Sequence, residues 1–173
     1  RRAEGRSWLT PKEVENIKQM ARSIGNHPLA GSFLRGQIER SIFWQDEETG
    51  IWLKARPDSI PTDSHDVADL KTTYSTHWSR LQQSMRQFAY YRQASLVREA
   101  LRKVLRINIS SFTLVFVEKQ SPWNTRDIRP HGEDLDRGDR ANRAAIRTFA
   151  NCMKTGEWPG PGHGREGSEN LPL

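Results

Sequence analysis

Apolar residues near the start of the chain recur every three or four positions, which predicts an amphipathic helix. These positions are Val14, Ile17, Met20, Ala21 and Ile24. Thr10 and Glu13 have the spacing of a capping box, so the helix is expected to begin just after Thr10. Gly25-Asn26 is a typical helix stop. A second short helix is predicted from about residue 29 to residue 38.

Between residues 41 and 73 the pattern changes to that of β-strands. Residues 41–44 and 51–56 predict two strands joined by a turn at 46–50. Pro57 ends the second of these strands, and a loop that includes residues 61–65 follows it. Residues 67–73 predict a third strand. If the second and third strands pair as a hairpin, the residues at their ends come together.

The second half of the chain predicts helix, strand and helix. Residues 77–106 have helical spacing and predict one long helix. Its apolar positions are Trp78, Leu81, Met85, Phe88, Leu96, Val97, Leu101, Val104 and Leu105. Residues 112–117 are apolar on both faces, as in a central strand. A last helix is predicted over 136–155, stopped by Gly156, with Ala145, Ile146, Phe149, Ala150 and Met153 facing inward.

This order of elements predicts an α/β fold with a mixed central β-sheet flanked by helices. A chain of 173 residues suits a single domain, expected over residues 1–158. The stretch 159–173 is rich in proline and glycine and is expected to be a flexible tail. No run approaches the roughly 20 apolar residues of a membrane span. The single cysteine excludes an internal disulfide and fits a cytoplasmic, reducing setting.

The net charge of +6 favours a polyanionic partner, and nucleic acid is the first to consider. A well-solvated surface is the simpler interpretation of the same charge. Arg80, Arg86 and Arg92 lie on the predicted long helix, and arginine can grip phosphate through paired hydrogen bonds. These three residues are therefore candidates for DNA binding.

Two acidic residues and a lysine form the clearest chemical pattern. Asp58 follows Arg-Pro at the end of one predicted strand, and Asp69 and Lys71 lie two positions apart on the next. Side chains alternate along a strand, so Asp69 and Lys71 share a face while Leu70 points into the core. A surface ion pair is the alternative interpretation of an Asp-x-Lys triplet taken alone.

A divalent cation would relieve the repulsion between two neighbouring carboxylates. Mg²⁺ takes one or two carboxylates and keeps several waters, and the backbone carbonyl of Leu70 is a further candidate ligand. Mn²⁺ is expected to substitute for Mg²⁺. Lys71 would then orient or help to deprotonate an attacking water and offset charge at phosphorus. The pattern therefore predicts metal-dependent phosphodiester chemistry at Asp58, Asp69 and Lys71.

The sequence resembles the PD-(D/E)xK nucleases of the exonuclease VIII (RecE-type) group of phage and prophage recombination systems. The resemblance is strongest at Lys54-Ala55-Arg56-Pro57-Asp58 and Asp69-Leu70-Lys71-Thr72-Thr73. It also runs through Trp8-Leu9-Thr10-Pro11, Glu39-Arg40-Ser41, Thr49-Gly50, Gln93-Ala94, Val117-Glu118-Lys119 and Trp158-Pro159-Gly160. It implies a PD-(D/E)xK core that hydrolyses DNA from the 5′ strand of duplex ends, a homo-oligomer, and a single-strand annealing recombination partner.

The resemblance also implies roles for single residues. Asp58 and Asp69 match the metal ligands of the family, and Lys71 matches its catalytic lysine. Glu39, expected on the helix before the strands, resembles an acid that many members place near the metal. Gln93 matches a glutamine that faces the active site, although Val97 stands where the family has an aromatic residue. An upstream segment with a metal-side histidine is also expected, and it would precede the sequence given.

Three other interpretations stay open at this point. One is a structure-specific or restriction-type endonuclease on the same core. Another is a catalytically silent module for DNA binding or assembly, and a third is a basic protein-interaction domain. Linear and covalently closed circular DNA would separate the two nucleases, because only an endonuclease cuts the circle.

Overall fold

A computed structural model describes residues 8–60, 62 and 65–160 of the chain. The helices are α1 (Pro11–Asn26), α2 (Ala30–Phe33), α3 (Trp78–Gln87), α4 (Tyr90–Ala100) and α5 (Gly132–Thr155). A π-helical turn, Leu101–Leu105, continues α4. The strands are β1 (Gln37–Ile38), β2 (Ile42–Gln45), β3 (Trp52–Ala55), β4 (Ser59–Ile60), β5 (Asp66–Thr73), β6 (Ser111–Glu118) and β7 (Thr125–Ile128).

Five strands form one mixed sheet in the order β1-β4-β5-β6-β7. Only β5 and β6 are parallel; the other neighbours are antiparallel. The predicted central strand is confirmed, because β6 lies inside the sheet and seven of its eight residues are buried. The α/β fold with a mixed central sheet is confirmed as well.

Helices cover both faces of this sheet, and the alternation along β5 and β6 separates the two faces. Ala68 and Val115 pack with Ala30 of α2 on one face, where Leu70 also points, as predicted. Val67, Leu114 and Phe116 pack on the other face with residues of α3 and α4. Asp69 and Lys71 are in register with Leu114 and Phe116, so they face α3 and α4.

The predicted hairpin of residues 41–56 is confirmed as β2 paired with β3, and it forms a separate two-stranded sheet. The buried carboxylate of Asp46 shapes its turn by accepting hydrogen bonds from the backbone N–H and the hydroxyl of Thr49. Arg143 of α5 donates a 2.8 Å hydrogen bond to the same carboxylate. This hydrogen bond holds the hairpin against α5, on the side of the sheet that carries α4.

Helix α1 begins as predicted. Thr10 accepts a hydrogen bond from the backbone N–H of Glu13, and the Glu13 carboxylate accepts one from the N–H of Thr10. The prediction of a second helix from about residue 29 to residue 38 is wrong, because α2 ends at Phe33 and residues 37–38 form β1. A side chain at Gly36 would place a Cβ 2.1 Å from the carbonyl oxygen of Ile60, so a glycine is required where β1 meets β4.

The predicted single helix over residues 77–106 is also wrong, because it is divided into α3 and α4. Ala89 separates the two with a φ of +48°, a left-handed conformation that no glycine marks in the sequence. Leu81, Val97 and Leu101 of the predicted apolar stripe are buried. Trp78, Phe88, Val104 and Leu105 are exposed.

Helix α5 begins four residues before the predicted start and ends at Gly156, as predicted, where φ is +75°. Of the residues predicted to face inward, Ile146 is buried, whereas Ala145, Phe149 and Met153 are exposed. Leu135 and Gly138, near the earlier start, are buried instead.

The division into a domain over 1–158 and a tail over 159–173 stays a prediction, since residues 161–173 lie outside the described part. No helix in the described ranges is long and apolar enough to cross a membrane.

Candidate active site

Strand β5 carries Asp69 and Lys71 on the same face of the sheet. They are in register with Leu114 and Phe116 of β6, whose side chains pack toward α3 and α4. The strand is held on both sides, by β4 and by β6. The prediction that Asp69 and Lys71 share a face while Leu70 points to the opposite core is therefore confirmed.

Asp58 reaches β5 by a different route from the one expected. The strands at 51–56 and 67–73 do not pair as a hairpin, because β3 pairs with β2. The two-residue strand β4 pairs with β5 instead, with Ser59 opposite Ala68. Asp58 precedes β4, and its Oδ2 accepts a 2.6 Å hydrogen bond from the backbone N–H of Leu70.

This hydrogen bond also indicates the direction in which the Leu70 carbonyl points. In a strand, the N–H and C=O of one residue point toward the same neighbouring strand. The Leu70 carbonyl thus faces the edge at which the Asp58 carboxylate lies. Asp58, the Leu70 carbonyl and Asp69 thus offer three oxygen ligands at the point where β4 begins beside β5.

Gln93 of α4 connects Asp69 with Lys71. Its Nε2 donates a 2.7 Å hydrogen bond to Asp69 Oδ1, and its Oε1 accepts a 2.9 Å hydrogen bond from Lys71 Nζ. Lys71 Nζ also forms an ion pair with Asp69 Oδ2. Gln93, which the resemblance expects to face the active site, therefore contacts both Asp69 and Lys71.

Tyr90 is a member of the cluster that the sequence analysis did not identify. Lys71 Nζ lies 4.9 Å from the centroid of the Tyr90 ring, which also packs against Phe116. An ammonium at this distance is attracted to the face of an aromatic ring. Tyr90 is the first residue of α4, so its position depends on the break at Ala89, for which the sequence offers no glycine or proline signal.

The Asp69 side chain is only 1% exposed. Burial raises the pKa of its carboxyl, and the negative charge of Asp58 adds to the increase. The hydrogen bonds and charge of Lys71 and the hydrogen bond from Gln93 act in the opposite direction but do not cancel the increase. In the absence of a metal, the site thus holds a buried carboxylate at a cost in free energy.

The oxygen donors suit a hard divalent cation. Asp58 and Asp69 supply two carboxylates, as many as Mg²⁺ usually takes from a protein when it retains waters and contacts phosphate. Added positive charge would also offset the burial and repulsion that raise the pKa of Asp69. Among the described residues, no group of three or more His, Cys, Asp or Glu side chains could hold a metal ion. The Leu70 carbonyl is the candidate for a third protein ligand.

Glu39 does not lie on a helix, as the sequence analysis expected. It follows β1 with a φ of +55°, and its backbone N–H donates a 3.1 Å hydrogen bond to the Asp58 carbonyl. Its carboxylate pairs with Arg56 Nε at 2.8 Å and is about half exposed. Glu39 is thus next to Asp58 through its backbone, while its side chain engages Arg56 at the surface.

The three candidate DNA-binding arginines are exposed but occupy different places. Arg80 and Arg86 lie on α3, and Arg92 lies on α4. Arg86 lines a groove together with Tyr90, so it is connected to the site through a shared neighbour. Their role in DNA binding stays a prediction.

Comparison with known proteins assigns the chain to a family. Residues 3–166 match the family model described as a PDDEXK-like domain of unknown function. No curated protein sequence matches the chain significantly. The fold is similar to the crystal structure of a candidate exonuclease from Eubacterium rectale, with a TM-score of 0.66 at 15% identity over 91% of this chain. The chain spans 63% of the length of that protein. A weaker similarity, to SSO0001, has a TM-score of 0.42 at 14% identity over 83% of this chain and 58% of the other.

Proposed function

Because the chain belongs to the PDDEXK-like family, we propose that it is a metal-dependent deoxyribonuclease that hydrolyses DNA phosphodiester bonds. The observation that carries the proposal is the convergence of Asp58, Asp69, Lys71 and Gln93 where β4 begins beside β5. Two carboxylates, a lysine and a bridging amide suit a site that binds a cation together with a phosphate. The net charge of +6 suits a polyanionic substrate.

Each side chain has a distinct part in this chemistry. Asp58 and Asp69, with the Leu70 carbonyl, would hold the cation, and Mg²⁺ is the expected one. When bound, the cation would act as a Lewis acid on the phosphodiester. Hydrolysis joins the oxygen of water to phosphorus and breaks the bond to the leaving 3′ oxygen, which takes up a proton. The Lys71 ammonium offsets the negative charge that develops on the phosphate oxygens.

Gln93 and Tyr90 act through Lys71. The Gln93 amide fixes Lys71 Nζ and Asp69 Oδ1 relative to one another through two hydrogen bonds. The Tyr90 ring lies beside the ammonium and limits the directions in which the lysine can swing. Fixed positions matter because a charged group stabilises a transition state best when it need not reorganise during the reaction.

The proposal also specifies how the DNA is cut: the protein acts as an exonuclease on the 5′ strand of duplex ends. It is supported by the resemblance of the two acidic motifs to the exonuclease VIII group and by the description of the Eubacterium rectale protein as a candidate exonuclease. An endonuclease on the same core is the alternative. Mn²⁺ as a substitute metal, a homo-oligomer, a single-strand annealing partner and action in the bacterial cytoplasm belong to the same proposal.

The experiment follows two DNA substrates with Mg²⁺, with Mn²⁺ and with EDTA. One is a linear duplex labelled at either the 5′ or the 3′ end, and the other is a covalently closed circle. We expect release of the 5′ label with either metal, no release with EDTA, and an intact circle. Cutting of the circle at a comparable rate would establish the endonuclease instead. A linear duplex that stays intact with both metals would contradict the nuclease.

A further inference from the structure

The face of the sheet that carries Asp69 and Lys71 continues across β6 to β7. Asp69 is in register with Leu114, which is in register with Ile128. Neighbours in register point to the same face of a sheet, and adjacent strands lie about 4.8 Å apart. The row that starts at Asp69 thus reaches Ile128 after roughly 10 Å.

A groove of about 390 Å³ lies at the far end of this row. Leu114 and Ile128 are among the residues that line it, and its walls include Trp78 and Arg86 of α3 and Tyr91 of α4. Tyr90 lines it too, and the same ring lies 4.9 Å from Lys71 Nζ. The groove therefore adjoins the candidate active site through Tyr90.

The walls of the groove combine exposed aromatic surface with positive charge. Trp78 is 45% exposed, and the guanidinium of Arg126 lies 5.4 Å from the centroid of its ring. The guanidinium of Arg137 lies 4.1 Å from the centroid of the Tyr91 ring. The acid in the wall, Asp134, accepts a hydrogen bond from the backbone N–H at the start of α5. Arginines therefore dominate the charge of the groove.

Aromatic rings beside arginines are the features that bind unpaired nucleotides. Bases stack on the rings, and the guanidinium groups meet the phosphates. A paired base inside a duplex has both faces covered by its neighbours, so it cannot stack on Trp78 unless it leaves the duplex. A groove lined by such residues is therefore expected to bind single-stranded DNA more tightly than an intact duplex.

We propose that this groove binds unpaired nucleotides of the DNA strand whose phosphate is held at Asp69 and Lys71. The proposal rests on the proposed nuclease function and deepens it, because it assigns the substrate a single-stranded or frayed segment next to the bond that is cut. Trp78 supplies a stacking surface, and Arg86 and Arg137 supply contacts to phosphate.

The test measures binding in EDTA, so that it does not depend on cleavage. Fluorescence anisotropy at one fixed salt concentration gives the dissociation constant of the full chain for labelled oligo-dT and for a blunt hairpin duplex. The variants are Trp78→Leu and Arg86→Ala. Arg22→Ala is the matched control, because Arg22 is an exposed arginine on α1, on the opposite face of the sheet.

We expect Trp78→Leu and Arg86→Ala each to weaken oligo-dT binding about ten-fold, the effect of losing one stacking or phosphate contact. Arg22→Ala should bind as the wild type does. An oligonucleotide carrying one 2-aminopurine should lose fluorescence on binding to the wild type and not on binding to Trp78→Leu. Arg86→Ala changes an exposed side chain, so its result does not depend on repacking the Trp78 site.

Three outcomes would overturn the proposal that the groove binds unpaired nucleotides. They are unchanged oligo-dT affinity in both variants, an equal loss in Arg22→Ala, and tighter binding of the blunt duplex than of oligo-dT. If the protein still cleaves DNA when any of these results is found, the proposed nuclease function stands and the proposed role of the groove fails. Loss of oligo-dT binding in the two variants of a chain that never cleaves DNA would support the groove and contradict the nuclease.

Discussion

The side-chain amide of Gln93 donates a 2.7 Å hydrogen bond to Oδ1 of Asp69, from helix α4 to strand β5. The other end of the amide accepts a hydrogen bond from Lys71, so one uncharged side chain contacts both the buried acid and its lysine. An amide suits this position because it donates to the carboxylate and accepts from the ammonium at once. A carboxylate in its place would add a third acid beside Asp58 and Asp69.

Gln93→Ala should lower Mg²⁺-dependent cleavage about 10–100-fold, the usual effect of losing a residue that orients metal ligands. The half-maximal Mg²⁺ concentration should rise as well, because Asp69 loses its orienting hydrogen bond. Both quantities come from initial cleavage rates measured over a Mg²⁺ titration.

Gln87→Ala is the matched control, since Gln87 is an exposed glutamine at the end of α3. It should leave both the rate and the Mg²⁺ dependence unchanged. If Gln93→Ala lowered the rate at saturating DNA without moving the Mg²⁺ dependence, Gln93 would not act by orienting a metal ligand.

Asp69→Asn should stabilise the metal-free protein at neutral pH. Burial raises the pKa of Asp69 in the folded state above its ordinary value of 3.8. Folding therefore favours the protonated acid, so the free energy of unfolding falls as pH rises from about 3.8 through the raised pKa. Asparagine removes this loss, and we expect a melting temperature in EDTA at pH 7.5 that is about 2–4 °C higher.

Mg²⁺ should reverse this difference, so that the wild type has a higher melting temperature than Asp69→Asn. A cation that binds only the folded state stabilises the wild type as its concentration rises above the dissociation constant. Asp69→Asn lacks one of the proposed carboxylate ligands, so its melting temperature should stay constant over the same titration. Equal stabilisation of both proteins by Mg²⁺ would mean that the cation binds elsewhere.

Gly138→Ala tests the packing of α5 on α4. An added Cβ would lie 2.5 Å from the Tyr91 carbonyl oxygen and 2.7 Å from Ser95 Cβ, so the two helices would have to move apart. We expect a loss of about 1–3 kcal/mol in the free energy of unfolding, measured by urea denaturation. Gly132→Ala is the control because nothing lies within 4 Å of its added Cβ, and it should be neutral or stabilising.

The sequence predicts the acidic motifs and the central strand because their signals are local. Asp69 and Lys71 share a face through simple alternation along β5, and residues 112–117 are apolar on both faces. The sequence analysis missed three strands, β1, β4 and β7. Of these, β1 and β4 contain only two residues each, too few to show a period. Yet β4 is the strand that brings Asp58 to β5. The contact between two well-marked motifs thus depends on a strand with no sequence signal.

The break between α3 and α4 could not be predicted either. Ala89 adopts a left-handed conformation, although alanine favours the interior of a helix. Packing of α3 and α4 on the sheet, rather than local propensity, must hold this conformation. The break places Tyr90 beside Lys71 and opens the groove next to Trp78. The Gln93 contact was recognised only through the family resemblance, because a lone glutamine on a helix has no distinguishing pattern.

The central claim is that Lys71 acts at the phosphate, and the Mg²⁺-dependent cleavage rate of Lys71→Ala tests it most directly. Lys119→Ala is a close match, because Lys119 follows β6 and its Nζ lies 5.0 Å from the centroid of the Tyr74 ring, much as Lys71 lies beside Tyr90. We predict that Lys71→Ala cleaves about 10²–10³-fold more slowly, as when one charge-stabilising donor is lost, and that Lys119→Ala cleaves at the wild-type rate. Cleavage by Lys71→Ala at the wild-type rate would contradict the assignment.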